Sequence, residues 1–355
     1  MATPRPVSNL TKIAATLKVS VATVSNALSG KGRVSADLIE KIRVTAAELG
    51  YVPSSAGRAL RTGRSGVLGL VLPDIANPLF PQIAQAIEYA ASAAGYGVLI
   101  ADSRGDVAMQ TEAIGRLIER GVDGMVIVPR LGTRIADAGC PVAVIDTPST
   151  PGNTVSADHW DGGQQVARHL ASLGHARILL IGNNPISNVQ NDRIGGIKSA
   201  FSVGVQTETL WIEKLERQNG KNCPLGLAQK VRDGFTAFAC VSDLIALRAL
   251  TELQGAGIAV PDAVSVTGFD DLVWSSVVTP GITTMRMNLP VIAEIAVSAL
   301  LRAIDVDGED AAASPKPVSA IVQADISRVP MQLVVRQSSA QPASSQIQNL
   351  QGEHA

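Results

Sequence analysis

The sequence predicts a small all-α domain at the N-terminus, followed by an α/β core of two doubly wound lobes. The first 64 residues show three short helical periodicities and carry ten basic and three acidic residues, a net charge of +7. From about residue 66, apolar strand-like runs alternate with helical segments, as in parallel sheets covered by helices. This series has two halves, before and after about residue 160, and a cleft is expected between them.

Two helical patterns joined by a tight turn open the chain. Ser20 lies where it can cap the second helix, and Val24, Ala27 and Leu28 form its predicted buried face. The outer face carries small residues and no acid, so the helix backbone could approach a polyanion such as the major groove of DNA. The residues expected on this outer face are Val21, Ala22, Ser25 and Asn26.

A third helix is expected between Ser35 and Gly50. Ser35 is its predicted N-cap, and Asp37 lies in the first turn, where a carboxylate interacts favourably with the helix dipole. By itself this helix-turn-helix pattern is weak, because many small helical bundles show it. The predicted inner face of the third helix is Leu38, Ile42, Ala46 and Leu49.

Seven apolar runs predict the strands of the core, and continuous runs of this kind are typical of strands buried on both faces. The helix at about 290–306 and the strand AIVQAD (320–325) are expected to return to the first lobe. The seven runs are GVLGLVLP (66–73), YGVLIADS (96–103), GMVIVP (124–129), PVAVID (141–146), ARILLIG (176–182), FACVSD (238–243) and VSVTGFDD (264–271).

The stretch YVPSSAGRALRTGRSG (51–66) joins the two parts of the chain. It holds a short helical pattern from Ser54 to Leu60, which is too short to be stable in water without support. With this stretch in place, the whole sequence resembles the LacI/GalR (lactose/galactose repressor) family of bacterial transcription regulators. The motifs that carry the resemblance run in order over about residues 9 to 338: VSVATVSNALSG, RVS, ELGYVP, RALRTGRS, GLVLPDIANPLF, GVDGMVIVP, HLASLGHARI, DRIGGI, VSVTGFDD and TTMRMN.

The resemblance implies a DNA-binding set in the N-terminal region. Leu60 matches a leucine that is inserted into a minor-groove step, which kinks the DNA. Two positions depart from the family pattern: Lys18 stands where the turn normally has glycine, and Asn26 stands where arginine is common, which implies an altered operator base. The expected base-facing residues are Val21, Ala22 and Asn26; the expected backbone-contacting residues are Ser20, Thr23 and Ser25, with the basic residues Arg33 and Arg58 completing the set.

The resemblance also implies an effector site in the cleft. Arg193 and Asp270 match a pair that binds polar effector groups, usually sugar hydroxyls, although a purely structural salt bridge stays open. Trp274 is included in the effector set, with a core or rim position as its alternative. Ser242 stands where asparagine is common, so the effector itself is uncertain. The other expected residues, at strand ends that should open on the cleft, are Asp74, Arg104, Asp146 and Ser242.

The family's domain organisation is expected to carry over, with a type I periplasmic-binding-protein-like core. The segment 202–235 matches the family poorly. The expected domains are a helix-turn-helix headpiece (1–53), a hinge helix and linker (54–65), a core (66–340) and a disordered tail (341–355). Within the core, the first lobe is expected to take about residues 66–160 and 290–323, and the second about 161–289 and 324–340.

The function implied is that of a ligand-responsive repressor of carbohydrate-uptake or catabolism genes. A homodimer would bind a palindromic operator in double-stranded DNA and be released by a small sugar-like effector. A regulator that needs a corepressor, with a nucleoside or another small polar effector, stays open.

Other function classes have less support in the sequence. A two-lobed enzyme is disfavoured because the GxGxxG, GxxxxGK[ST] and GxSxG motifs are missing. A transport-linked sugar-binding protein is disfavoured by the basic N-terminal region and by the lack of a signal-peptide pattern. The three cysteines are widely separated, so we expect no metal and a reducing, cytoplasmic location, and we expect no cofactor. No apolar run is long enough to span a membrane, so we expect no membrane partner. As a DNA-binding regulator the protein is expected to be nucleoid-associated.

Overall fold

The computed structural model describes residues 9–29, 34–51, 63–135, 138–310, 321–325 and 327–342. The chain divides after Ser65 into two compact units. Each unit has a hydrophobic core of its own, so each is described separately.

The first unit is built from three helices: α1 (Asn9–Leu17), α2 (Val21–Ser29) and α3 (Ala36–Glu48). Ile13, Val24 and Ile42, one from each helix, are fully buried and form the centre of its core. The Ser20 hydroxyl accepts a hydrogen bond of 3.0 Å from the backbone N–H of Thr23, which confirms the predicted cap of α2.

Two details of this unit differ from the sequence-based expectation. Ser35 occupies the N-cap position of α3, but its side chain makes no capping hydrogen bond; only its carbonyl joins the helix, accepting from the N–H of Ile39. Leu49 was expected on the inner face and is 41% exposed. The reason is that α3 ends at Glu48, so Leu49 is the C-cap residue and no longer follows the helical register.

The second unit contains two four-stranded parallel sheets, with the orders β2-β1-β3-β4 and β7-β6-β8-β9. In both sheets the chain starts at an inner strand and then builds outward in both directions. Such a reversal point opens a crevice at the carboxyl ends of the strands. The strands are β1 (Val67–Leu72), β2 (Gly97–Asp102), β3 (Gly124–Ile127) and β4 (Val142–Val144), then β6 (Arg177–Gly182), β7 (Gln206–Trp211), β8 (Ala237–Cys240) and β9 (Ser265–Thr267).

Helices and short strands surround these sheets. Two small strand pairs, β5 with β11 and β10 with β12, lie outside the main sheets. The long helix α12 (Leu289–Asp310) packs against α4 (Leu79–Ala93) and against β3 and β4 of the first sheet. The segment after α12 also returns to this sheet, where Val322 donates its N–H to the carbonyl of Val142. These elements are α4 (Leu79–Ala93), α5 (Val107–Glu119), β5 (Ser156–Ala157), α6 (His159–Ser172), α7 (Asn188–Ala200), α8 (Ile212–Asn219), α9 (Leu227–Arg232), α10 (Asp243–Gly255), α11 (Val273–Val277), β10 (Thr284–Arg286), α12 (Leu289–Asp310), β11 (Arg328–Val329) and β12 (Gln332–Val334).

All seven predicted apolar runs form strands, but the expectation that each is buried on both faces is wrong for β2. Leu99 and Ile100 are 37% and 49% exposed, because β2 is an edge strand of its sheet. Strand β7 was not predicted at all. Strand β7 is an edge strand of the second sheet, and half of its residues are exposed. Its sequence, QTETLW, is largely polar and lacks the continuous apolar run that indicates an inner strand.

The described ranges contain no helix that is long and apolar enough to span a membrane.

The turn between α1 and α2 yields a stability prediction. Lys18 has φ of +53°, in the left-handed region that costs a residue with a side chain about 1–2 kcal/mol. Replacing Lys18 by glycine, the residue usual in the family, should raise the local free energy of unfolding of α1 and α2 by about 0.5–1 kcal/mol. Amide hydrogen exchange of these helices in the full chain measures this.

The matched control is Lys12→Gly on the exposed side of α1, where a mid-helix glycine should lower the same quantity by about 1 kcal/mol. Unchanged or reduced protection in Lys18→Gly would show that the turn carries no strain.

Candidate functional site

One face of α2 gathers most of the residues predicted to contact DNA. Val21, Ala22 and Asn26 are exposed, while Val24 and Ala27 point into the core of the unit. No residue of α2 is acidic. Ser20 is exposed at the start of the helix, and Thr23 and Ser25 are partly buried. Arg33, Arg58 and Leu60 of the predicted set lie outside the described residues.

The side chains on the exposed face of α2 are short and uncharged, so the helix backbone lies close to the surface of the unit. Side chains of this size allow a helix to enter the major groove, which is about 12 Å wide. The Ser20 hydroxyl accepts from the Thr23 N–H and also lies 2.8 Å from the Thr23 hydroxyl, so the N-terminus of α2 is capped at its exposed end. The exposed N-terminal residues of α2 match the second helix of a helix-turn-helix, whose N-terminal residues contact base edges.

In the second unit, a cavity of about 570 Å³ lies between the carboxyl ends of the two sheets. Its volume is in the range typical of small-molecule sites. Residues that directly follow the strands line it: Asp74 shortly after β1, Arg130 after β3, Asp146 after β4 and Ser242 after β8. Asp270, after β9, completes the contribution of the second sheet. Both lobes therefore contribute polar groups to one cavity.

Five of the seven residues predicted for the effector site line this cavity, and two do not. Arg104 is exposed in the loop that follows β2 and does not line the cavity, although Val107, three residues further on, does. Trp274 lies on α11 and is 42% exposed, also outside the cavity lining. The five that the fold brings together are Asp74, Asp146, Arg193, Ser242 and Asp270.

Arg193 is the most constrained side chain of the cavity. It projects from α7 and is buried, with its Nη1 donating to the Val241 carbonyl at 2.6 Å and its Nε to His159 Nδ1 at 3.3 Å. Its Nη2 lies 2.9 Å from Asp270 Oδ1, and its guanidinium carbon lies 4.6 Å from the centre of the Phe269 ring. These four partners leave the guanidinium a single orientation.

Asp270 presents a buried acceptor to the cavity. Its Oδ1 lies 2.9 Å from Arg193 Nη2, and no other described residue donates a hydrogen bond to that oxygen. Burial raises the pKa of Asp270, whereas the positive charge of Arg193 opposes that rise. A buried carboxylate oxygen with unused acceptor capacity is suited to a ligand hydroxyl.

Asp146 and its neighbours connect the two lobes. Burial raises the pKa of Asp146 to about 6; the hydrogen bond from the Thr150 hydroxyl lowers it and the charge of Asp192 raises it further. Thr147 and Ser149, in the loop after β4, donate hydrogen bonds to Asp192 on α7. A loop of the first lobe therefore meets a helix of the second lobe beside the cavity.

Several cavity residues were not predicted. Asn183 and Asn184 follow β6 directly, and Arg130 follows β3, so their position after predicted strands was a usable signal. Glu213 follows β7, a strand that the sequence did not reveal. His159 also lines the cavity, and burial together with the Arg193 charge lowers its pKa well below the usual range, which keeps the ring neutral.

Comparison with known proteins identifies the family. Residues 9–54 match the family of bacterial regulatory proteins of the lacI type, and residues 167–339 match the periplasmic binding protein-like domain. The regulator DegA of Bacillus subtilis is 30% identical over 76% of this chain and 84% of its own length. The regulator MalR of Streptomyces coelicolor is 31% identical over 84% of this chain and 90% of its own length. The chain belongs to the LacI family. It is thus a DNA-binding transcription regulator, as the resemblance implied.

Solved structures of several transcription regulators share its fold. The lac repressor dimer bound to operator and the anti-inducer ONPF superposes with a TM-score of 0.76, at 24% identity over 95% of this chain and all of that one. The regulator CelR in complex with cellobiose gives 0.60, at 22% identity over 94% of this chain and all of that one. A LacI-family regulator from Enterococcus faecium with bound ribose gives 0.62, at 23% identity over 78% and 99%. The all-α headpiece and periplasmic-binding-protein-like core are thereby confirmed.

The raised pKa of Asp146 predicts a pH dependence of stability. The pKa of about 6 in the folded state lies above the unfolded value of about 3.9, so the folded state binds more protons between these limits and loses stability as pH rises. The free energy of unfolding of the wild type should fall by about 1–3 kcal/mol relative to Asp146→Asn as pH rises from about 4 to about 6. Urea titrations at a series of pH values measure both proteins. A difference that stays constant across this window would contradict the assignment.

Proposed function

We propose that this protein is a repressor that leaves its operator when a small sugar-like effector enters the cavity of the core. The observation that carries the proposal is the cavity itself, in which groups from both lobes converge on one volume beside the buried Arg193–Asp270 pair. A ligand that contacts both lobes binds some relative positions of the lobes more tightly than others. This difference in affinity between conformations is what a conformational response requires.

The chemistry of the lining favours a neutral ligand rich in hydroxyl groups. Two of its three arginines already have carboxylate partners: Arg193 has Asp270, and Arg248 has Glu216 at 2.8 Å; the third is Arg130. The carboxylate groups of Asp74, Asp146 and Asp270 offer hydrogen-bond acceptors, for which sugar hydroxyls are matching donors. Structures of transcription regulators with ribose and with cellobiose, and a relative named as a ribose operon repressor, support the same class. The regulated genes are then expected to serve carbohydrate uptake or catabolism.

The headpiece supplies the proposed DNA contacts. Val21, Ala22 and Asn26 are proposed to face base edges, with Asn26 suited to the N6 and N7 edge of adenine. Ser20, Thr23 and Ser25 are proposed to contact the DNA backbone. The basic residues Arg33 and Arg58 and the wedge residue Leu60 belong to the same proposal.

Two variants test the proposal in opposite directions. Asp270→Ala removes a charged acceptor and should weaken effector binding about 10–100-fold, with operator affinity nearly unchanged in the absence of effector.

Asn26→Ala should lose about 1–3 kcal/mol of discrimination at one operator position and leave effector binding intact. The operator is first recovered by selection from random DNA, and sugars are screened by thermal shift, because a ligand at 100 times its Kd adds about 2.7 kcal/mol of stability.

Fluorescence anisotropy of the labelled operator, titrated with the selected sugar, then distinguishes the outcomes. If the sugar releases the protein from the operator, induction is supported. If the sugar instead strengthens operator binding, the protein is a corepressor-dependent regulator. An Asp270→Ala protein that still responds like the wild type would remove Asp270 from the site.

The working form is proposed to be a homodimer. Two apolar patches of the core are exposed: Leu99 and Ile100 on the edge strand β2, and Val273, Trp274 and Val277 on α11. Exposed clusters of large apolar side chains mark protein–protein surfaces more often than isolated ones do. Two headpieces brought together in this way would read both halves of a palindrome.

Trp274 therefore has a dimer role in this proposal rather than the effector role expected from the sequence. Trp274→Asp should raise the dimer dissociation constant about 30-fold or more, the effect of removing an aromatic anchor from an interface. Val203→Asp, at a fully exposed position after α7, is the matched control and should leave the dimer intact. Light scattering over a dilution series measures both, and an equally stable dimer in the two variants would place the interface elsewhere.

A further inference from the structure

The loop that presents Asp270 has a strained backbone. Asp270 has φ of +106° and Asp271 has φ of +51°, so two consecutive residues with side chains adopt positive φ. Such conformations cost free energy and persist only where the surrounding structure holds them, and they cluster at ligand-binding sites. The contacts around this loop should therefore reveal what holds it.

The outer side of the loop is held by two arginines. The Arg286 Nε lies 2.5 Å from Asp271 Oδ2, and the Arg336 Nη2 lies 2.6 Å from Asp271 Oδ1. Arg286 belongs to β10, and Arg336 follows β12, the strand that pairs with β10. Arg336 also donates through Nη1 to the Ile282 carbonyl at 2.9 Å, which fixes its own position. Both carboxylate oxygens of Asp271 thus bind a guanidinium.

The inner side of the loop is held by Asp243. Its Oδ2 accepts the backbone N–H of Leu272 at 2.7 Å, and its Oδ1 accepts the Thr284 hydroxyl at 2.6 Å. Gly268 lies so close that an added Cβ would be 2.2 Å from Asp243 Oδ1. The segment from Gly268 to Leu272 is consequently fixed on both sides of Asp270.

Asp271 and its two arginines take no direct part in the cavity. None of the three lines it, whereas the preceding residue, Asp270, does and contacts Arg193. An effect of Asp271 on ligand binding must therefore pass through the backbone of the loop. Fixing a binding group beforehand raises affinity, because the free protein then loses less conformational freedom when the ligand binds.

We propose that Asp271, held between Arg286 and Arg336, is a positioning residue that keeps the strained loop in the conformation in which Asp270 reaches the effector. The proposal rests on the proposed function of the cavity. It predicts that effector affinity depends on a carboxylate that never touches the effector.

The test is Asp271→Asn in the full-length protein. Asparagine has the same size and tolerates positive φ as well as aspartate does, so the substitution removes chiefly the charge that holds the arginines. The thermal-shift screen includes ribose and cellobiose, and the probe is the sugar that gives the wild type the largest shift. Its Kd is measured by calorimetry well below the melting temperature. Hydrogen exchange of a peptide spanning the loop reports on its order without any ligand.

Asp271→Asn should weaken the sugar about tenfold and speed exchange in the loop peptide several-fold, within the range of coupling between contacting residues. Glu208→Gln is the control, because it breaks the Lys230–Glu208 ion pair of the same lobe, 2.5 Å in length, away from the cavity. The control should change neither quantity. In a double-mutant cycle, adding Arg286→Gln to Asp271→Asn should weaken the sugar no further, since both act through one contact.

Three results would overturn the proposal or the function it rests on. An Asp271→Asn protein with only a lower melting temperature, and with loop exchange and Kd equal to those of Glu208→Gln, would make Asp271 merely structural. Additive effects of Asp271→Asn and Arg286→Gln would remove the arginine from the mechanism. If no sugar of the thermal-shift screen shifts the wild type, the proposed effector class is wrong, and loop exchange alone decides whether Asp271 holds the loop.

Discussion

A buried guanidinium determines the arrangement of the cavity. Arginine stays charged in a protein interior, and a charge out of water is costly by several kcal/mol unless partners compensate it. Arg193 obtains these partners from separate parts of the second lobe: the start of α6, the end of β8 and the loop after β9. Because the charge must be satisfied, these elements can meet in few other ways. The polar wall of the cavity is therefore organised before any ligand contacts it.

The approach of α6 to α7 makes this arrangement possible. A Cβ added to Gly163 would lie 2.3 Å from the Arg193 carbonyl oxygen, and one added to Gly196 would lie 2.1 Å from the Trp160 carbonyl oxygen. Only glycine allows the two helix backbones to come so close, and this contact brings His159 to Arg193. The glycines of the DRIGGI motif thus have a packing role that sequence reasoning had not assigned to them.

Local patterns predicted the elements well and their surroundings less well. The cap at Ser20, the outward residues of α2 and the seven apolar strands all follow from periodicity and residue type over short distances. Where a side chain's environment depends on neighbours distant in the chain, the predictions failed. Leu99 and Ile100 belong to an apolar run but lie on an edge strand, and the polar β7 is a strand because β6 offers it a free edge.

The sequence by itself determined which residues follow each strand, and parallel strands place those residues at the same end of a sheet, which is why Asp74, Asp146 and Ser242 were found. Asp270 and Arg193 were expected from the resemblance to the family. Only the tertiary structure decided which residues beyond the strands reach the cavity: Arg104, after the edge strand β2, does not, whereas Glu213, after the edge strand β7, does. The hydrogen bond between Asp271 and Arg336, 65 positions apart in the chain, was likewise evident only from the tertiary structure. The physical reason is that periodicity specifies the direction of a side chain within its own element, whereas the partner of that side chain depends on how whole elements pack.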